Sequence, residues 1–200
     1  MSGTFPIATS KFKSLGIRSS QDTIISKTVS GKVLKRQIDN QRWLFSIEII
    51  TGKRSDVYGE LMGFMMKQRS GLENFQIVPP EIKNARGTAA GVPTGSGSSG
   101  GTTITLAGSG TGSLLSGDFI KFASHDKVYM VVADTADISA TNTLTIEPPL
   151  TVAVTTSTIT YDSVPFTVYQ VNDTQDYGVV GVDKDGNLQY KFQMDLEEAL

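Results

Sequence analysis

The 200-residue chain has no cysteine, one histidine, one tryptophan and only seven prolines. Without cysteine it forms neither disulfides nor thiolate metal sites, which fits assembly in a reducing cytoplasm. No apolar run approaches the roughly 18 residues that a membrane-spanning helix needs. The stretch Met1-Ser2-Gly3-Thr4-Phe5-Pro6 lacks the basic-then-apolar order of a secretion signal. The lone His125 would serve as a catalytic base only beside a nucleophile and an orienting group, and Asp126 is merely its neighbour in a turn. Ser96 to Thr102 lacks the lysine and the following helix of a phosphate loop. Asp183 to Asn187 lacks the twelfth-position glutamate and flanking helices of a calcium loop. Glu147, Glu197 and Glu198 have no partner carboxylates at the spacing of a glycosidase pair. These readings leave no catalytic, cofactor or metal residues to nominate, and the chain is expected not to be an enzyme.

What is present is a chain with 38% apolar and 8% aromatic residues, enough for one larger or two compact cores. Its net charge of -2 hides a split: residues 1–86 hold 14 Lys/Arg against 7 Asp/Glu, and the remainder 4 against 13. Basic and acidic faces of that kind allow copies to stack head to tail, although two domains differing in surface charge would give the same numbers. The cations Lys27, Lys32, Lys35, Arg36 and Arg42 come with no interleaved aromatics, zinc spacing or recognition helix, so they are expected to face protein and not a specific nucleic acid.

Gln41 to Pro80 is the richest stretch. Trp43, Phe45, Ile47 and Ile49 alternate with Arg42, Ser46 and Glu48, which predicts a strand with one buried face. A helix is predicted from Ser55 to Arg69, with Ser55 as its cap and Gly71 as its left-handed stop. Val57, Leu61, Phe64, Met65 and Gln68 fall in one stripe suited to dock on a sheet. Tyr58, Met62 and Met66 lie on a second flank beside Gly59 and Gly63. Two glycines within a helix cost roughly 1 kcal/mol each relative to alanine, so close approach of another backbone should offset them. Tyr58, Gly59, Met62, Gly63 and Met66 are therefore the candidate subunit-interface residues. Cover by the same chain is the competing reading.

Elsewhere, Leu15 to Arg18, Thr23 to Val29 and Val33 to Ile38 read as strands, the last two joined through Gly31 as a hairpin. Asp39-Asn40 supplies the next turn. The residues up to about 14, with Phe5, Pro6, Ile7 and Phe12, resemble an arm that orders against neighbours. Gly87 to Gly101 reads as a Gly/Ser-rich linker unable to order itself. Six short strand candidates follow, from Thr102 to Val171, with Ser124-His125-Asp126 closing one hairpin. The alternating segment Leu188 to Leu196, after the turn at Asp185-Gly186-Asn187, returns to the first sheet.

The order strand, helix, strand, with Gln41-Arg42-Trp43, Phe64 to Gly71 and Phe75 to Pro80, resembles the distal tail proteins of long-tailed bacteriophages, nearest the relatives of the lambda minor tail protein M. The resemblance covers residues 11–86 most fully, then 166–200, and an inserted segment at Phe119-Ile120-Lys121-Phe122 and Val128 to Val132. It implies a mainly β fold: a tail-tube-like β-sandwich with one flanking α-helix, interrupted by a small inserted β-barrel or sandwich. The expected units are residues 1–86 with 166–200 as the ring-forming domain, and 87–165 as the insertion. The resemblance further implies a structural protein of the virion's tail tip, assembled in the host cytoplasm. It implies a homo-oligomeric ring, with six copies, joining the tail-tube protein to the tail-tip hub protein around a channel for DNA, with no membrane partner. The alternative is a host-saccharide-binding or decoration module, with Phe119, Tyr129 and Tyr161 as aromatic platforms on the insertion. Replacing the core residue Trp43 with alanine should cost on the order of 3–5 kcal/mol, read as a lowered denaturation midpoint.

Overall fold

The computed structural model of the chain describes residues 3–6, 11–38 and 40–200; Ile7 of the expected arm and Asp39 of the expected turn lie outside the described residues. In chain order the strands are β1 (Phe12–Ser20), β2 (Thr23–Lys27), β3 (Val33–Gln37), β4 (Arg42–Gly52), β5 (Phe75–Ile77), β6 (Pro93–Gly97), β7 (Thr103–Gly108), β8 (Phe119–Phe122), β9 (Val128–Val131), β10 (Thr143–Glu147), β11 (Val154–Thr160), β12 (Phe166–Gln170), β13 (Tyr177–Val182) and β14 (Leu188–Glu198). The helix α1 (Gly59–Lys67) lies between β4 and β5. The fold is mainly β, as the sequence patterning implies.

An antiparallel sheet runs in the order β1-β4-β14-β12-β5, with β13 paired to the start of β14. Its centre is built by the two alternating segments. Phe45 faces Leu196, Ile47 faces Met194 and Ile49 faces Phe192 across the β4–β14 ladder, and all six are buried. Period-two alternation places these side chains on one face, and direct opposition lets them pack in pairs. The outer positions carry charge instead, where Lys13 and Lys191 both reach Glu48, at 2.8 and 3.3 Å. Leu61 and Met65 of α1 bury into the same apolar cluster as β4 and β14.

The second body is a closed barrel in the order β10-β7-β6-β11-β8-β9. Its interior holds Ile104, Leu106, Ile120, Phe122, Tyr129 and Ile159, among others. The Gly/Ser-rich stretch expected to be a linker supplies one of its staves, β6, which pairs with both β7 and β11. The glycines there are a packing requirement. A Cβ on Gly95 would sit 2.7 Å from Ile104 and 3.0 Å from Ile159, and one on Gly97 would sit 2.8 Å from Leu150. Small residues on one stave make room for large ones from its neighbours, so a segment too polar to order alone is ordered by the core it encloses.

The two bodies meet at a junction that combines apolar and charged contacts. Phe119 and Val128, on the barrel's outside, belong to the sheet's apolar cluster. The Trp43 ring meets Phe119 edge-on at 5.1 Å, and its Nε1 donates to the Val128 carbonyl at 3.0 Å. Beside it, Lys127 is ion-paired with Glu198, the two being 3% and 1% exposed. The Lys127 ammonium also donates to the Gln41 carbonyl and Oε1 at 2.7 and 2.8 Å. Glu198 accepts backbone amides from Val128 at 2.9 Å and Trp43 at 3.2 Å. Burial pushes the carboxyl up and the ammonium down, while the pairing opposes both shifts. Every strong donor and acceptor of the pair thus has a partner. Lys127→Met should destabilise the protein by about 3–5 kcal/mol in chemical unfolding, because it strands a buried carboxylate. Conversion of a surface pair such as Lys13–Glu48 should leave the unfolding midpoint nearly unchanged, because solvent screens it.

Candidate assembly surfaces

The helix begins differently from the sequence expectation. Arg54–Tyr58 forms a π-helical turn ahead of α1, with no side-chain cap. The Lys53 carbonyl collects the amides of Asp56, Val57 and Tyr58 at 3.2 to 3.4 Å, which leaves Ser55 no amide to cap. The stop also differs. Arg69 and Ser70 take the left-handed conformation, at φ 52° and 58°. Gly71 is needed for another reason, since a Cβ there would lie 2.6 Å from the Gln170 carbonyl oxygen.

This geometry divides the five candidate interface residues. Tyr58 is fully buried and donates its hydroxyl to the Ile50 carbonyl at 3.0 Å, so it offers a neighbour no surface. A Cβ on Gly59 would sit 2.7 Å from the Arg54 carbonyl oxygen, so the chain's own π turn accounts for that glycine. Met62 is half-buried against the sheet cluster. Gly63 has no heavy atom within 4 Å of its Cβ position, and Met66 is 69% exposed. Of the five, Gly63 and Met66 therefore form the open side of the helix. The N-terminal arm is likewise used within the chain over its described part. Phe5 packs among Phe12, Phe64 and Phe75, while residues 3 and 5 hydrogen-bond Gln76 on the β5 edge.

Two projections stand out from this packed body. The first is the hairpin β2–β3, a two-stranded sheet of its own in which every residue of both strands is exposed. Gly31 makes its turn at φ +82°. The register pairs Ile24 with Arg36, Ile25 with Lys35 and Lys27 with Val33. Both faces are therefore mixed apolar and basic, with Ile24, Ile25, Val33 and Leu34 all open to solvent. Arg42 is separate from this group, held by Glu197 at 2.6 Å.

The second projection is β13 with the first turn of β14, a strand that the sequence analysis missed. Val179, Val180, Val182 and Leu188 are exposed on it. Its tip is the Asp183–Asn187 turn. The Asp183 carboxylate accepts the amides of Asp185 and Asn187 at 2.9 and 2.8 Å and meets Lys53 at 2.9 Å. These contacts hold its pKa well below the usual carboxylate range, with Lys53 the largest cause. The segment with calcium-loop character is a self-satisfied hairpin turn.

Phe119, Tyr129 and Tyr161 are all buried, at 6%, 0% and 9%, so none presents a ring face for stacking on a sugar. His125 stacks on Phe122, and its Nε2 lies 2.8 Å from the Tyr129 hydroxyl. Asp126 does not orient it; that carboxylate takes Lys121 at 2.9 Å and the Thr167 hydroxyl at 3.1 Å. Burial, assisted by Lys121, lowers the His125 pKa. A lowered histidine pKa means that the unfolded chain binds more protons just below pH 6.5, so stability falls as the pH drops through that window. Thermal unfolding of the wild type should show that slope, and His125→Gln should flatten it.

Residues 81–162 match the family described as Distal tail protein pb9, B domain. That range spans all six staves of the barrel, from β6 to β11. No curated protein matches the chain.

Proposed function

We propose, from the premise that this chain belongs to the phage distal tail proteins whose B domain it carries, that its copies close into a ring at the distal end of the tail. The coarse role is that of a structural tail component, which the match to a distal tail protein's B domain supports. The finer reading is a ring of six copies at the tail tip that joins the tail tube to the hub protein and leaves a lumen for DNA. Assembly takes place in the host cytoplasm.

One observation carries the ring: the β2–β3 hairpin exposes apolar side chains on both faces, and among the described residues no other strand pairs with it. A two-stranded hairpin is marginal by itself in water, and exposed apolar surface of this kind marks a contact with another protein. The hairpin's cations then face protein, as phosphate-gripping side chains would retard passing DNA. The outward Gly63–Met66 side of α1 supplies a second, smaller contact, with Met66 as an adaptable packer. The saccharide-binding alternative loses its support in the three proposed aromatic platforms, which are filled into cores.

Ring formation is read directly in negative-stain images and in the solution mass of the purified chain. The wild type should give closed rings. The double substitution Ile24→Asp with Leu34→Asp should give monomers while shifting stability by no more than about 0.5 kcal/mol, because both positions are exposed. A wild type that stays monomeric beside the tail-tube and hub proteins would refute the reading.

A further inference from the structure

We infer that the basic β2–β3 hairpin of one copy lies across the acidic β13–β14 projection of the next copy. This rests on the ring reading above and names the two surfaces that meet. The two projections are complementary in three respects.

The first is apolar content. The hairpin exposes Ile24, Ile25, Val33 and Leu34, and the other projection exposes Val179, Val180, Val182 and Leu188. Among the described residues neither group is covered, and burying both together removes them from water at once.

The second is charge. Residues 23–37 carry Lys27, Lys32, Lys35 and Arg36 and no acid. Residues 173–187 carry Asp173, Asp176, Asp183 and Asp185 against Lys184. Lys53 neutralises Asp183 from outside the segment and Lys184 stands 3.7 Å from Asp185, so the segment's excess negative charge comes from Asp173 and Asp176, just ahead of β13. Like-charge repulsion therefore opposes hairpin on hairpin and projection on projection, while the mixed pairing is attractive.

The third is geometry. The β13–β14 ladder shifts register between Val179 and Gly181. A bulge of that kind bends an edge strand away from straightforward ladder extension. The contact is therefore side chain on side chain across the faces, with no strand added to the sheet. Beside Leu188 and Tyr190 an open groove of about 530 Å³ runs past Lys53, Arg54 and Gly59, with volume enough for an aliphatic side chain from the hairpin. Because donor and acceptor are different patches of the same chain, the interface is heterologous, and heterologous contacts close into rings when the rotation permits.

The absence of cysteine makes the test clean. Full-length chains would carry Ile24→Cys, Ile25→Cys or Leu34→Cys, each combined with Val180→Cys or Val182→Cys, and be oxidised at assembly concentration. At least one combination should give a covalent ladder on a denaturing gel, whereas Ile25→Cys with the barrel position Val152→Cys should give none. Independently, Lys35→Glu with Arg36→Glu should raise the concentration needed for assembly at least tenfold. Adding Asp176→Lys and Asp185→Lys in the same chain should restore it. Rings in micrographs without a ladder from any combination, and without charge rescue, would overturn this pairing and leave the ring intact. Hairpin cysteines that cross-link only to the tail-tube or hub protein would overturn it in favour of that partner. Monomers throughout would overturn the ring and the pairing together.

Discussion

The architecture depends on one buried charge pair. Lys127 comes from the barrel and Glu198 from the last strand of the sheet, and Gln41 and Trp43 complete their shell from the start of β4. Three segments far apart in sequence thus meet at a single point. Apolar burial alone is non-directional and would hold the barrel against the sheet in more than one orientation. An ion pair out of water tolerates only the orientation in which each lone pair and proton finds its partner. Its net contribution to stability is modest, since removing both ions from water offsets much of their attraction. Its consequence is a defined angle between the two bodies.

The aromatic contacts around the pair extend that constraint. Trp43 meets Phe119, Phe119 meets Phe166, and Phe166 meets Phe45, at centroid distances between 5.0 and 5.7 Å. The series runs from β4 through the barrel's outer wall to β12 and back to β4. A second polar bridge lies nearby, where Lys121 and Asp126 of the barrel meet Thr167 of β12. Apolar, hydrogen-bonded and ionic contacts thus tie the barrel to the sheet at the same junction. In the ring proposed above, copies of the chain would meet mainly through the two exposed projections.

That division suits a tail component. A ring under load needs subunits whose internal geometry is fixed and whose contacts are made at a few edges. In the reading proposed here, the satisfied junction supplies the first and the two projections supply the second. The open Gly63–Met66 side of the helix is consistent with the same arrangement.

Some of this was determined by the sequence alone. The period-two patterns of Trp43 to Ile49 and Leu188 to Leu196 named the two central strands and their buried faces. The turns at Gly31 and at Ser124 to Asp126 named two hairpins. These are local signals: alternation and turn chemistry act within a few residues and are read without knowing what lies opposite. Tertiary structure decided the rest. Gly87 to Gly101 looks disordered by composition, yet β6 is a stave because Ile104, Ile159 and Leu150 leave room only for glycine. Tyr58 sits on the helical flank expected to face a partner, yet the π turn rotates it inward to the Ile50 carbonyl. Glu198 falls in phase with the apolar positions of β14, and it stays buried only because Lys127, from another body, arrives beside it. In each case the deciding neighbour is remote in sequence, and no local pattern encodes it.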